Sequence, residues 1–193
     1  MKAKTAEPWI TPALLVAALL ISPVVLAAQA AGEDILQPKV TVEVDGLACP
    51  FCAYGLEQRI QEIPSVQQSI INIEAGTVEL TPNEGEHIDI DEVKAAVKAG
   101  GFTAREEVGV SLAGQLIDWN GNSALSITVT NRAGKKVRKI YVLKENRQLK
   151  RLKASAKTSG QVVFITGQAT EAPPFGHTDH HPYLVVIETF QIL

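Results

Sequence analysis

The two cysteines of the chain, Cys49 and Cys52, are separated by two residues and stand between a strand pattern and a helix pattern. Pro50 suits the first position of a helix, where a missing N–H costs nothing. We therefore expect Cys49 to cap a helix and Cys52 to lie in its first turn. Free N–H groups and the helix dipole favour thiolates at that end. Thiolates bind soft metals and also attack disulfides, so the position predicts reactivity without choosing a role.

The elements around the cysteines follow from the spacing of apolar residues. Period-two alternation before the pair predicts a strand, and helical spacing after it predicts a helix that ends before Pro64. A second helix begins at Asp89, and Glu92 three residues later is close to a capping-box pattern. The expected elements are strand 39–44, helix 49–63, strands 67–74 and 77–81, helix 90–99 and strand 102–108. This βαββαβ order is ferredoxin-like.

This order and its cysteine motif resemble the heavy-metal-associated domain family over residues 39–110. The resemblance rests on the strand–Gly-x-x-Cys-x-x-Cys–helix signature that begins at Gly46 and on the Gly-Gly-Phe sequence at 100–102. It implies that Cys49 and Cys52 bind a soft metal ion, with Cu(I) expected first and Hg(II) or Zn(II) as further candidates. It also implies a protein that sequesters or hands over metal, with a metal-transport or envelope protein as its partner.

The motif departs from the usual family pattern at two places. The family usually has Met-Thr before the first cysteine, whereas this chain has Leu47 and Ala48. Leu47 suits the buried role of that methionine, but Ala48 supplies no hydroxyl. Pro50 and Phe51 make the segment between the cysteines stiffer and more apolar than usual.

Two other interpretations of the cysteine pair stay open on the residues alone. Cys-Pro-x-Cys at a helix start is also typical of thioredoxin-like enzymes, which makes a periplasmic thiol-disulfide oxidoreductase the alternative function. The segment up to Val110 lacks the length and strand order of such a domain. A structural disulfide is favoured by an oxidising compartment, although its small loop adds little stability. The sequence has no nucleophile–base, phosphate-loop or paired-carboxylate signature, and we expect a protein that is not an enzyme.

The first thirty residues predict export. Residues 1–30 have a basic start at Lys2 and Lys4, an apolar core over 13–28 and an Ala-Gln-Ala cleavage pattern at 28–30. A signal peptide of this kind predicts a periplasmic protein in a bacterium. No charge occurs between Glu7 and Glu33, so an uncleaved anchor is the alternative and the only membrane contact expected from this segment.

Charge divides the rest of the chain into two expected domains. Residues 39–110 carry thirteen acidic and five basic side chains, whereas residues 111–193 carry five acidic and eleven basic ones. The second part predicts strands at 110–119, 125–129, 137–143, 161–167 and 183–192, with a helix at 145–157. This order resembles a small all-β OB-like barrel. The expected class is therefore α+β, with a ferredoxin-like metal-binding domain (39–110) followed by the barrel (111–193).

OB-type barrels often bind nucleic acid, and residues 135–157 are rich in lysine and arginine. The stacking aromatics that single strands need are scarce, with Tyr141 and Trp119 the main candidates. Exported proteins rarely meet nucleic acid, and we do not expect it as a partner. We expect the basic surface to face the acidic metal domain or an anionic envelope partner, with Lys135, Lys136, Arg147, Lys150 and Arg151 as its residues.

Three of the four histidines lie in one loop, His177, His180 and His181, together with Asp179. Imidazole and carboxylate groups suit Zn(II) or Cu(II), so this loop is a candidate second metal site. An ordinary polar loop between strands is the competing interpretation. The fourth histidine, His87, precedes the second helix and is expected to face solvent.

Overall fold

The structure, a computed structural model, describes residues 36–156, 160–172 and 182–193. The predicted signal peptide and the predicted His177–His181 metal site lie outside these ranges. Residues Leu36–Leu193 form one compact unit with its own buried core. Within the described ranges, every helix is too short or too polar to cross a bilayer.

The described residues form eight strands and three helices in the predicted order. They are β1 Lys39–Asp45, α1 Pro50–Gln61, β2 Val66–Asn72, β3 Thr77–Pro82, α2 Ile90–Ala99, β4 Thr103–Trp119, β5 Asn122–Thr130, β6 Lys136–Leu143, α3 Arg147–Ser155, β7 Val162–Glu171 and β8 Tyr183–Ile192. The predicted helix 145–157 is shorter than expected. It begins after Asn146 because the Asn146 side chain accepts the Leu149 N–H at 2.8 Å and caps the helix there.

The first part of the sheet has the strand order β2-β3-β1-β4, and all its pairs are antiparallel. One face is apolar because alternate residues of β1 and β3 point inward, among them Val42, Val78 and Leu80, each fully buried. Both helices contribute to the same core, α1 through Leu56 and α2 through Val93. The predicted ferredoxin-like arrangement is confirmed for this part of the chain.

β4 belongs to both parts of the sheet. Its beginning pairs with β1, where Val42 faces Val108, and its end pairs with β5, where Gln115 faces Ser126. The two strands predicted at 102–108 and 110–119 are thus one strand, and the expected boundary near Gly109 falls inside it. No turn residue interrupts the alternation there, so Val108, Val110 and Leu112 stay on one face.

The second part of the sheet continues from β4 through β5, β6, β8 and β7, and β7 pairs back with β4. These five strands therefore form a closed cycle of pairings in which only β6 and β8 run parallel. α3 packs against β8 and buries Leu149 and Leu152 completely. β7 and β8 approach closely at Gly167, where a Cβ atom would overlap the carbonyl oxygen of Val186.

Candidate metal-binding site

The loop between β1 and α1 brings the cysteines to the helix start. Gly46 has a φ of +87°, a conformation that glycine adopts without strain. Leu47 then turns inward and is buried, as predicted. A Cβ atom at Gly46 would lie 3.9 Å from the ring of Phe102. The Gly-Gly-Phe end of α2 therefore lies beside the cysteine loop, and the two sequence signatures meet in space.

Cys49 is the N-cap of α1, and Pro50 begins the helix, as the sequence predicts. The Cys49 sulfur accepts a hydrogen bond from the backbone N–H of Cys52 at 3.2 Å. The Cys49 carbonyl oxygen accepts one from the Ala53 N–H at 3.0 Å. No acidic side chain lies in the first turn. The partial positive charge of the helix end is therefore not offset locally and favours negative sulfur.

The two cysteines are joined as a disulfide, with their Cα atoms 5.2 Å apart. Both are partly exposed, and Phe51 between them is 90% exposed. Tyr54, one turn further along α1, is 63% exposed. Ala53 and Leu56 hold the opposite side of the helix in the core. The pair is thus presented at the surface on a rigid element, flanked by two exposed aromatic rings that periodicity did not single out.

The described ranges contain no cluster of three or more histidine, cysteine or acidic side chains that could hold a metal ion. The chemistry available at this site is therefore that of two sulfur atoms. When reduced, two thiolates suit a soft ion of low coordination number.

The beginning of α2 contacts the second part of the sheet through polar groups. Asp91 accepts a hydrogen bond from the Tyr183 hydroxyl at 2.6 Å. It also forms an ion pair with Lys139 at 2.6 Å. Lys139 also pairs with Asp89 at 3.0 Å. Acidic residues of the first half thus meet a cation of the second half, but that cation is Lys139 and not one of the five residues expected.

The predicted capping box at α2 is only half formed. Asp89 accepts the N–H of Asp91 at 3.1 Å and caps the helix. Glu92, however, accepts the backbone N–H of Arg132 at 2.7 Å. The Glu92 side chain therefore bonds to the β5–β6 hairpin and not to the backbone N–H of Asp89, the bond that would complete the box.

Several pKa values are shifted at and near this junction, among them those of Asp91 and His87. Burial opposes the charged form of Asp91, but hydrogen bonds from Lys139 and Tyr183 and the charges of Lys139 and Lys94 outweigh it and lower its pKa. His87, predicted to face solvent, is largely enclosed instead, and its Nε2 is buried without a hydrogen-bond partner. Burial lowers the pKa of His87, although hydrogen bonding with the backbone of Ala113 and Thr128 partly offsets the shift.

The two aromatic residues named as stacking candidates, Tyr141 and Trp119, lie in different environments. Tyr141 is fully buried and stacks on Tyr183 with ring centroids 5.7 Å apart, so no base can reach it. Burial raises the pKa of its hydroxyl. Trp119 lies partly exposed at the end of β4. The alternation that identified β6 did not show that Tyr141 points inward.

Residues 41–103 match the model of the family described as the heavy-metal-associated domain. This match confirms the resemblance over that segment, which covers most of the βαββαβ part. No curated protein matches the chain significantly.

Several solved structures are similar to parts of the chain. The CopZ metallochaperone aligns at 21% identity and a TM-score of 0.33, covering 35% of this chain and 98% of its own. The N-terminal domain of a potential copper-translocating P-type ATPase from Bacillus subtilis, in its Cu(I)-loaded state, aligns at 25% identity and a TM-score of 0.32. The alignment covers 36% of this chain and 85% of that domain. The single-stranded DNA-binding protein Rim1 from S. cerevisiae mitochondria aligns at 14% identity and a TM-score of 0.30. The alignment covers 44% of this chain and 93% of Rim1.

Proposed function

We propose that this chain is an exported protein that binds a soft heavy-metal ion through Cys49 and Cys52 and sequesters it or hands it over. The observation that carries the proposal is the placement of both sulfurs at the start of α1, where the Cys52 N–H lies 3.2 Å from the Cys49 sulfur. The heavy-metal-associated match over residues 41–103 supports the same role. The metal is the cargo of this protein, and no catalytic step is required.

Cu(I) is the first choice of cargo. Two thiolates satisfy Cu(I) or Hg(II) at low coordination number, whereas tetrahedral Zn(II) needs two further ligands. The described part of the chain offers no such ligands near the pair. Thioether sulfur is also excluded from residues 36–193, because the only methionine of the chain is Met1.

The remaining features complete the proposal. The signal-like residues 1–30 put the protein in the periplasm, where a metal-transport or envelope protein exchanges the ion with it. The strands β4 to β8, which include the barrel expected at 111–193, form an OB-like barrel; the closed β4-β5-β6-β8-β7 cycle with one parallel pair supports this. Nucleic acid is not the partner that we propose: of the two stacking candidates, Tyr141 is buried and offers no stacking surface.

A metal titration tests the proposal. The protein is reduced, kept anaerobic and titrated with Cu(I) against a competing chelator. We expect one ion per chain. The Cys49→Ser, Cys52→Ser double variant should lose more affinity than the roughly 10- to 100-fold typical of removing an outer-shell group. Phe51→Ser is the matched control, because it keeps both sulfurs. A double variant that binds as tightly as the parent disproves the assignment.

The second candidate function is a thiol-disulfide oxidoreductase, favoured by the disulfide between Cys49 and Cys52. In that role catalytic amounts of the protein accelerate the exchange of a model disulfide substrate. We expect a rate no greater than that of a small dithiol at the same concentration. A much larger rate, lost in the double variant, would replace metal binding as the main function.

A further inference from the structure

α3 has two different faces. Leu149 and Leu152 are fully buried on the inner face. Arg147, Lys150 and Arg151 are exposed and, at a spacing of three and four residues, share the outer face. We refer to these three residues as the outer cations. The helix is fixed in place, because the Gln148 side chain donates to the Glu188 carbonyl at 2.8 Å and Asn146 donates to the Ile187 carbonyl at 2.7 Å.

The outer cations have no acidic partner among residues 36–156, 160–172 and 182–193. Arg151 contacts only neutral groups, the Gln148 amide and the Phe190 ring. Some cations elsewhere in the described residues do have acidic partners, such as Lys139 with Asp89 and Asp91. On α3 only Lys153 is paired, with Glu145. The outer cations therefore present unneutralised positive charge.

Their position works against helix stability. Arg147 and Lys150 lie at the helix start, where the dipole favours negative charge, and no acidic residue occupies the first turn. Arg147 also repels Lys150 and Arg151 at like-charge spacings of three and four residues. Folding alone would favour acidic or neutral residues here. Conflicts of this kind between local stability and sequence concentrate at functional sites.

We propose that the outer cations form a docking surface for an anionic phospholipid bilayer. The surface is the exposed outer face of a helix, and it suits an extended anionic surface better than a small ligand. α3 has no aromatic residue for stacking on bases. The sequence also predicts that the chain is delivered across a membrane. Charge complementarity and this delivery select the lipid surface.

Vesicle co-sedimentation tests the proposal. The compact unit, residues 36–193, is mixed with vesicles of about 30% phosphatidylglycerol in phosphatidylcholine, and with phosphatidylcholine alone. Each cation near an anionic surface contributes about fivefold in binding, so R147Q/K150Q/R151Q should bind about a hundredfold more weakly. K98Q/K135Q/K136Q removes the same charge from three other exposed lysines and is the matched control. We expect it to keep most of the binding, and high salt to abolish binding of the parent.

Equal losses in the two triple variants would overturn the proposal, because binding would then follow net charge alone. Absence of parent binding to anionic vesicles would also overturn it. Tighter binding to soluble poly-glutamate than to vesicles would assign the surface to an acidic protein instead. Thermal unfolding provides a second readout: relief of repulsion should leave the α3 variant at least as stable as the parent. A lower melting temperature would make the outer cations structural.

Discussion

Cys49 has two tasks at the start of α1, and they can be separated by substitution. Its backbone and sulfur complete the first turn, while the same sulfur is a proposed metal ligand. Serine is a good N-cap but a poor ligand for a soft ion, whereas alanine is neither. The side chain at this position therefore determines helix stability and metal affinity through different properties.

We predict that Cys49→Ser will keep the stability of the reduced protein and lose Cu(I) binding. Cys49→Ala should lose Cu(I) binding and also about 1 kcal/mol of unfolding free energy, as N-cap removal does. Urea unfolding of the metal-free, reduced proteins measures the difference. Cys52→Ala is the control, since Cys52 is not the cap. Equal stability of the parent and the alanine variant would show that the sulfur contributes nothing to capping.

His87 should make the stability depend on pH. Its pKa is below 6.5 in the folded protein because the ring is buried, so the unfolded chain binds more protons below that pH. The contribution of neutral His87 is complete above about pH 6.5 and is lost as the pH falls toward the folded-state pKa. Asp91, whose pKa is lowered from 3.8, contributes above about pH 4, and its contribution is lost only in more acidic solution.

The prediction is a fall in unfolding free energy between pH 7.5 and 5 that is smaller in His87→Gln, which carries no titrating group. Urea unfolding at intervals of half a pH unit measures both curves. The difference between the two proteins should be constant above pH 7. Parallel curves down to pH 5 would mean that His87 titrates alike in the folded and unfolded states.

At the scale of elements, regular periodicity made most of the fold predictable. Alternation identified the strands, and the Cys-Pro pair identified the start of α1. The continuity of β4 was not predictable, because a charge difference marks a boundary in composition and not in backbone. The incomplete capping box at α2 was not predictable either, since the Glu92 side chain accepts a hydrogen bond from the backbone N–H of Arg132, forty residues away in the sequence.

The close approach of β7 and β8 gives an element-scale prediction. Gly167→Ala should destabilise the protein by about 1–3 kcal/mol or more, because its Cβ would overlap backbone atoms that can move only with the strand. Gly55→Ala is the matched control. No atom lies within 4 Å of a Cβ there, and alanine in a helix should add about 0.5–1 kcal/mol. Thermal unfolding measures both, and a neutral Gly167→Ala would show that the strands can separate without cost.

At the scale of the whole molecule, the two halves share structure instead of being joined by a linker. β4 pairs with β1 and β7 at the same residues, since Val108 faces both Val42 and Ala169. The junction of α2 with Lys139 and Tyr183 adds a second connection. Separating the halves would break strand pairing along β4 and leave charged groups of a partly buried cluster unpaired. We therefore expect the halves to unfold together.

A substitution in one half, followed by a probe in the other, tests this expectation. Leu56 is fully buried in the first half, and Leu56→Ala should cost about 2–5 kcal/mol. Trp119, the only tryptophan of residues 36–193, reports on the second half. In cooperative unfolding, Leu56→Ala lowers the urea midpoint equally by tryptophan fluorescence and by far-UV circular dichroism. An unchanged fluorescence midpoint beside a lowered dichroism midpoint would show independent domains. Leu149→Ala in the second half is the reciprocal control: it should shift the same two signals together, because the strand they depend on is shared.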